Sequence, residues 1–400
     1  MALTDFKTQF DNSYQTIFDK VLVALKVTNL RFEPVLKYGE AVTRMLPSVS
    51  SVRVRTVTRG AASTIDTISD STETLTVNIE KEAAFYISDG EVKQAGPLNP
   101  GEYFGGHIAQ KVAADLDGRI FSEVLNASQD FDDGDLTTLA STGTPITLSS
   151  TTVPQLVSRM PAKLTRGTNQ VLANMVLVID SYSAADIAQY LLGKQFDIVE
   201  SVFKNGYSGD ISTAQVYVSE NLTGEVVLTM TTLIDGTDTF TLNGVTLQLT
   251  SGTPSVAGDI SAAATATPTE IIANIAVALN DPYNSSDGVY VAVSDANAAL
   301  LTGGAGLSCD AVAGVLTIRA VGGGRMVVTE DISGGSFNSP FIHSYYGKRG
   351  GIDVVVQDLS PVDMRQTSDR RGTNVFSSYL AGKRTFTDGS RRFLDVHILA

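Results

Sequence analysis

The sequence predicts a mixed α+β fold, and three observations carry that prediction. Leu75, Val77 and Ile79 alternate with Thr74, Thr76, Asn78 and Glu80, the period of a half-buried strand. Ile108, Val112, Leu116, Ile120 and Val124 recur at intervals of four, the stripe of one long amphipathic helix over 102–125. At ~1.5 Å per residue that helix is roughly 36 Å long. The apolar run Met175-Val176-Leu177-Val178-Ile179 then meets Asp180-Ser181-Tyr182-Ser183, which caps a helix whose Ala184, Ile187 and Leu191 share a face.

Taken in order, the chain opens on a helical segment with Phe10, Tyr14, Ile17, Phe18, Val21, Leu22 and Leu25 on one face. That stripe needs a partner surface, either this subunit's core or an adjacent chain. Val52, Val54 and Val57 alternate roughly with Arg53, Arg55 and Arg59, and a polar turn over 60–71 leads to a second strand over 72–80. The two make a ribbon-like arm, and such a hairpin is marginal alone in water. Its arginines face Glu73, Glu80 and Glu82, or charges on a neighbouring subunit. Ala84-Phe85-Tyr86-Ile87 resumes as a separate short strand before the long helix.

Beyond the helix, 130–135 clusters four aspartates beside Gly134. Calcium loops alternate carboxylates in this way, but the closing glutamate is missing, so the expectation is an acidic solvated loop. Residues 153–160 read as a short helix with Pro154 in its first turn and Pro161 closing it. From Glu225 the composition shifts. Residues 225–335 hold 11 acids against only Arg319 and Arg325 and no lysine, which is nine of the 14 net negative charges. This stretch predicts strands at 239–242 and 245–249 around an Asn243-Gly244 turn, and a helix from 269 to 279 started by Thr267 and Pro268. Further strands are expected at 289–293, 315–320 and 325–329. So abrupt a change predicts an independently folded, β-rich insertion. Strands at 341–346 and 352–356 and a terminal strand over Phe393, Val396 and Ile398 finish the chain.

Composition bounds the function. With 29 basic and 43 acidic side chains, the net charge of −14 argues against nonspecific nucleic-acid binding. Cys309 is the single cysteine, so no intramolecular disulfide forms and a free thiol in a reducing cytoplasm is expected. The amino terminus lacks the regions of a secretion signal, and no apolar run is long enough for a membrane span. A soluble protein made in a cytoplasm is the expectation.

The order of elements resembles the major capsid proteins of tailed bacteriophages, which have the Hong Kong 97 fold. Its most specific part is LTVNIEKEAAFYISDGEVKQAGPLNPGEYFGGHIAQKVAADLDGRIFSEVLNA, similar to the family's arm strand, peripheral strand and spine helix, with Asp115-Leu116-Asp117 inside it. MVLVIDSYSAADIAQYLLGKQFD, then Val216 to Leu222, is similar to a strand and helix of the axial domain and the strand after them. Ala381-Gly382-Lys383 onward is similar to the last peripheral strands. Together these cover nearly all of the chain outside 225–335.

The resemblance implies an amino-terminal arm over 1–47, an extended loop over 48–81 and a peripheral domain with its spine helix over 82–166. It further implies an axial domain over 167–224 and 336–370, interrupted by the insertion, and peripheral strands over 371–400. It implies a homo-oligomer of hexamers and pentamers around DNA held without sequence specificity, with scaffolding, portal and decoration proteins as partners. No membrane partner and no cofactor are implied; the shell is assembled in the host bacterial cytoplasm and ends in the virion. Phe10, Phe18, Leu22, Arg53, Arg55, Arg59, Glu73 and Glu80 are expected at contacts between subunits. Arg370, Arg371, Lys383, Arg384, Arg391 and Arg392 are expected either in salt bridges between subunits or facing DNA. Two features depart from relatives. Fewer than fifty residues precede the extended loop, leaving no room for a fused scaffold, and no lysine lies between Arg44 and Glu80 to crosslink.

No catalytic constellation competes with this reading. His107, His343 and His397 are far apart in sequence and lack metal-ligand spacing, and no serine sits in a nucleophile elbow. Gly322-Gly323-Gly324-Arg325 lacks the lysine and helix of a phosphate cradle and reads as a hairpin or bulge. Two other classes stay open: an encapsulin-like nanocompartment shell and a glycan-binding surface protein.

Overall fold

In a computed structural model, the structure describes residues 8, 10–14, 22–34, 36, 39–48, 55–56, 59–60, 65–66, 69–88, 100–168, 172–192, 207–211, 214–232, 237–263, 266–302, 305–366 and 371–400. The architecture is α+β. A four-stranded antiparallel sheet holds β1 (Ala41–Ser48), β2 (Ser69–Ser88), β17 (Gly372–Arg384) and β16 (Asp353–Gln366), in the order β1-β2-β17-β16. The alternation seen in the sequence sets its facing: Leu75 and Val77 are buried while Thr74, Thr76, Asn78 and Glu80 are exposed.

One expectation is corrected here and one falls outside the described residues. Val52, Val54 and Val57, expected in the first strand of the arm, are among the latter; the described strand that pairs with Ser69–Thr76 is Ala41–Ser48. Residues 72–80 and 84–87 are one strand of 20 residues, not two. At ~3.3 Å per residue it is roughly 66 Å long. Glu80, Lys81 and Glu82 break the apolar alternation, yet they are exposed and the backbone goes on pairing with Leu380, Tyr379 and Ser378 of β17.

Against this sheet lies α1 (Pro100–Phe121), the predicted long helix, continued by a 3₁₀ turn over Ser122–Asn126. Val112, Leu116, Ile120 and Val124 are buried, and Ala109 and Ala113 widen the stripe into a face. That face packs with Val176, Val178, Tyr345, Val375 and Tyr379 in one core. Two glycines let backbone approach the helix. A Cβ on Gly105 would stand 2.7 Å from the Phe10 carbonyl oxygen, and one on Gly118 would stand 2.5 Å from Gly322 Cα. The triple-glycine turn is thus the point where 225–335 rests on the long helix.

The central sheet has ten strands. Its main path runs β11 (Leu307–Val312), β12 (Val315–Ala320), β7 (Thr223–Met230), β15 (Phe341–Lys348), β4 (Met175–Ile179), β6 (Ala214–Val218), β5 (Tyr207–Ile211). Strand β18 (Phe393–Leu399) pairs with β15 and with the short β3 (Asp130–Phe131), and β14 (Gly335–Phe337) pairs with β7. A second core on this sheet packs α2 (Thr152–Thr168) and α3 (Ser181–Leu192) against Met175, Leu177, Ile179, Leu394, Val396 and Ile398. Pro161 does not close α2: the helix runs through it, because Val153, Leu156, Met160 and Leu164 are buried on both sides of it. That burial outweighs the one amide bond the proline removes. Only half of the aspartate cluster is solvated: Asp130 and Asp133 are exposed, and the other two are not. Asp132 is fully buried and accepts from Gly134 N (3.0 Å), Thr142 N (2.7 Å), Ser141 Oγ (2.6 Å) and Gly143 N, and buried Asp135 pairs with Lys163.

The acidic segment has a hydrophobic cluster of its own, built from Phe240, Leu247, Leu249, Ile271, Ile272, Ile275, Leu316 and Ile318. Its sheet has the order β10 (Asp259–Ser261), β9 (Val245–Thr250), β8 (Thr237–Leu242), β13 (Val328–Asp331). The Asn243-Gly244 turn is as predicted, with φ of 50° and 83°. Helix α4 (Pro268–Asn280) starts on a Thr267–Glu270 capping box, a device worth ~1 kcal/mol. Val289–Val293 is not a strand. Tyr290 is buried there, with Val293 N donating to its hydroxyl (3.1 Å) and the hydroxyl donating to the Pro282 carbonyl (3.2 Å), which bends the chain into a turn. Strand β13 starts after the expected Arg325, which turns away to pair with Asp180 at 2.7 Å. Nor is the segment closed off at Glu225: that residue lies inside β7, and β12 and β11 extend the central sheet from it.

The Gly118–Gly322 approach yields a prediction. Gly118→Val drives a side chain into backbone, so urea unfolding will show a loss on the order of 1–3 kcal/mol, while Ala114→Ser one turn away will change little. Equal stability of Gly118→Val and the parent would show that the segment does not rest on the helix.

Candidate assembly surfaces

Strand β2 is the feature that most needs a partner. Its first part, Ser69–Thr76, pairs with β1, and its second part, Val77–Ser88, pairs with β17 on the other side. Among the described residues, Asn78–Ser88 has no strand on its second edge. Glu80, Lys81, Glu82, Ala84 and Tyr86 are exposed along it. Unpaired N–H and C=O groups in such a row are a template for another chain.

The expected contact residues divide. Phe10 and Leu22 are corrected: both are buried in this subunit's own core, at 0% and 4% exposure. Phe10 stacks 6.1 Å from Tyr14 and 6.3 Å from Phe85, wedged between α1 and β2. The apolar stripe therefore finds the first of its two partners. Ahead of the helical turn Ala24–Val27, Asp117 of α1 accepts from Val23 N and Ala24 N at 2.9 Å each, which ties the leading segment to the long helix. Glu73 is also used internally, accepting from Thr387 N at 3.2 Å. Arg55 pairs with Asp66 at 2.6 Å within the loop, an exposed pair worth at most ~1 kcal/mol. Arg59 and Glu80 are exposed. Phe18, Arg53 and Arg370 lie outside the described residues.

The basic pairs divide in the same way. Lys383 donates to the Arg119 carbonyl at 2.6 Å and lies 3.4 Å from Glu123; burial lowers its pKa. Arg392 stands 3.5 Å from Asp388. Those two serve the fold, and Arg371, Arg384 and Arg391 are exposed. A cavity of about 730 Å³ opens between the arm sheet and α1, lined by Glu73, Asn78, Arg119, Glu123, Lys383 and Arg384 among others. It is polar and charged, and suited to a polar segment of another chain.

Both arginines of the acidic segment are structural. Arg325 donates to Asp180 at 2.7 Å and lies 5.0 Å over the Tyr182 ring, clamping the segment to α3. Arg319 bridges Asp310 (2.6 Å) and Glu225 (2.7 Å). Glu225 continues this line of alternating charge to His343 (3.4 Å), and His343 to Asp395 (2.7 Å). Burial, which alone would lower the His343 pKa, is outweighed by Asp395 and Glu225, which push it up to about 9. Burial likewise opposes ionisation of Asp395, but His343 and His397 hold that carboxylate down to about 2. His343 and His397, 54 residues apart in sequence, are directly opposed across β15 and β18. Sequence spacing missed this pair; only the strand register brings it together. Cys309 is partly buried, and burial pushes its thiol up to about 12.

No protein-family model matches the sequence, and no curated protein matches it. Solved structures do. A chain of Mycobacterium phage Che8 is 13% identical with a TM-score of 0.42, over 92% of this chain and 89% of that one. The capsid of cyanophage P-SCSP1u is 8% identical at 0.42, over 90% and 84%. The mature capsid of bacteriophage PhiM1 is 9% identical at 0.41, over 90% and 82%. No helix among the described residues is long and apolar enough to cross a membrane.

Asp117 supplies a pH prediction. Burial raises its pKa to about 6, against the two amide donors that lower it. The unfolded value is ~3.9, so the native state binds this proton more tightly. Its contribution to stability is full below pH ~4 and is lost as pH rises through about 6. Asp117→Asn places an amide against two N–H donors and removes the titration. It will lower stability at pH 7 by about 1–3 kcal/mol and flatten the pH 4–7 slope of the denaturation midpoint. An unchanged slope in the variant would refute the assignment.

Proposed function

We propose that this chain is the major capsid protein of a tailed bacteriophage, the subunit that self-assembles into an icosahedral head around double-stranded DNA. The observation that carries this reading is β2, a 20-residue strand whose second edge carries no strand over Asn78–Phe85 among the described residues, on a body with three larger hydrophobic clusters of its own. A monomer gains nothing from holding such an edge out in water. A shell subunit gains one shared ladder at every neighbour, and closed symmetry accumulates modest contacts into a stable container.

The remaining parts take consistent roles. The arm sheet and its loop reach the adjacent subunit. In place of the bounds expected from the resemblance, which put α2 in the peripheral domain and β16 in the axial one, helix α1 with β16 and β17 forms the peripheral domain, the central sheet with α2 and α3 forms the axial domain, and 225–335 is the insertion, joined through β7 and Arg325. Contacts between subunits use Arg59, Glu80 and the exposed β2 edge, not Phe10 or Leu22. DNA is enclosed without strong phosphate pairing, because the net charge is −14 and Lys383 and Arg392 of the expected basic pairs are occupied within the fold. The role is structural, not enzymatic.

Negative-stain imaging of the purified protein tests this directly, with hollow closed particles expected. Glu80→Lys with Glu82→Lys reverses charge on the open edge. It will change the stability of the free subunit by no more than ~0.5 kcal/mol yet cut particle yield severalfold. A parent protein that stays monomeric at high concentration, or a double variant that assembles as well as the parent, would count against the reading.

A further inference from the structure

We propose that His343, Asp395 and His397 form a binding site for one divalent transition-metal ion, zinc by its donor set. One donor atom from each of the three residues lies within 4.8 Å of the others. His343 Nδ1 is 2.7 Å from Asp395 Oδ2, and His397 Nε2 is 3.4 Å from the same oxygen. Tetrahedral zinc with bonds of about 2.0–2.1 Å holds its ligands roughly 3.3 Å apart, so both separations are within a small side-chain shift of coordination. Two imidazoles and a carboxylate match zinc and its first-row neighbours, not calcium or magnesium.

Burial points the same way: His343 and Asp395 are 3% and 2% exposed. The strands supply the rigidity a metal site needs. His343 and His397 face each other in register, and Phe341 flanks both rings at 5.1 and 5.0 Å. There is also a way in. His397 is 12% exposed at its side chain, and exposed Asp130 of β3 is in register with Asp395, placed to give a fourth oxygen or to hold a bound water. Glu225, 3.4 Å from His343 Nε2, orients the imidazole from behind as carboxylates do behind metal-bound histidines.

Such an ion joins β15 to β18 and closes the carboxy-terminal strand onto the central sheet. Neither the site nor its test depends on assembly into a shell. Zinc chloride titrated into the metal-free full chain against a chromogenic chelator is expected to show one ion per chain. His397→Ala is expected to weaken it on the order of 100-fold. His397→Gln, nearer in shape, repeats the measurement should the alanine variant misfold. Cobalt(II) in the parent protein is expected to give visible ligand-field bands of a nitrogen- and oxygen-ligated ion. Binding below one ion per chain, zinc affinity in the His397 variants equal to that of the parent, or cobalt spectra of the hexa-aquo ion would overturn the proposal.

Discussion

The structure depends on one constraint: β2 is a single strand of 20 residues that no one neighbour pairs from end to end. Strand β1 supports its distal part and β17 its proximal part, from opposite edges. The handover occurs at Thr76–Val77, where the register with β17 shifts by a residue at Gly382 and the backbones come so close that a Cβ there would lie 2.5 Å from the Thr76 carbonyl oxygen. Among the described residues each part is held by one ladder, so each leaves an edge for something else. Hydrophobic burial cannot replace that lost pairing, because Glu80, Lys81, Glu82, Ala84 and Tyr86 already face water.

Everything beneath the strand is arranged to hold it rigid. Phe85 sits between Phe10 and Phe104, at 6.3 and 5.7 Å, so the leading segment, the strand and the start of the long helix share one aromatic contact. Tyr379 of β17 donates to Asp115, which also binds Arg119 at 2.9 Å, fixing the sheet to the same helix about three turns further on. Burial of the apolar face drives the association, and these polar ties set its register. An exposed ribbon on a rigid base can recognise a neighbour with little loss of conformational entropy.

Much of this was legible in the sequence, and what was not has definite causes. The long helix, the Met175–Ile179 strand with its capped helix, the Asn243-Gly244 hairpin and the Thr267 cap are local devices, and local pattern finds them. Continuity of β2 through Glu80-Lys81-Glu82 was hidden because a strand exposed on both faces needs no alternation. Pro161 misled because burial of a long stripe outweighed one amide bond. The composition break at Glu225 is real, but it falls inside β7, since charge content follows solvent exposure and sheet pairing does not. Internal burial of Phe10 and Leu22 was one of two partners open to that stripe, and nothing in the stripe itself chose between them. The His343–His397 pair could be seen only through the register of two strands, and the buried roles of Asp132 and Asp135 only through a loop folding back on itself.

Hydrogen exchange along β2 is the most direct test of the central claim. In the free subunit, the amides of 78–88 that do not bond to β17 should exchange as fast as open coil, and in assembled material they should become strongly protected. Protection of those same amides in a monomer, at the level of the β17-bonded ones, would contradict the account.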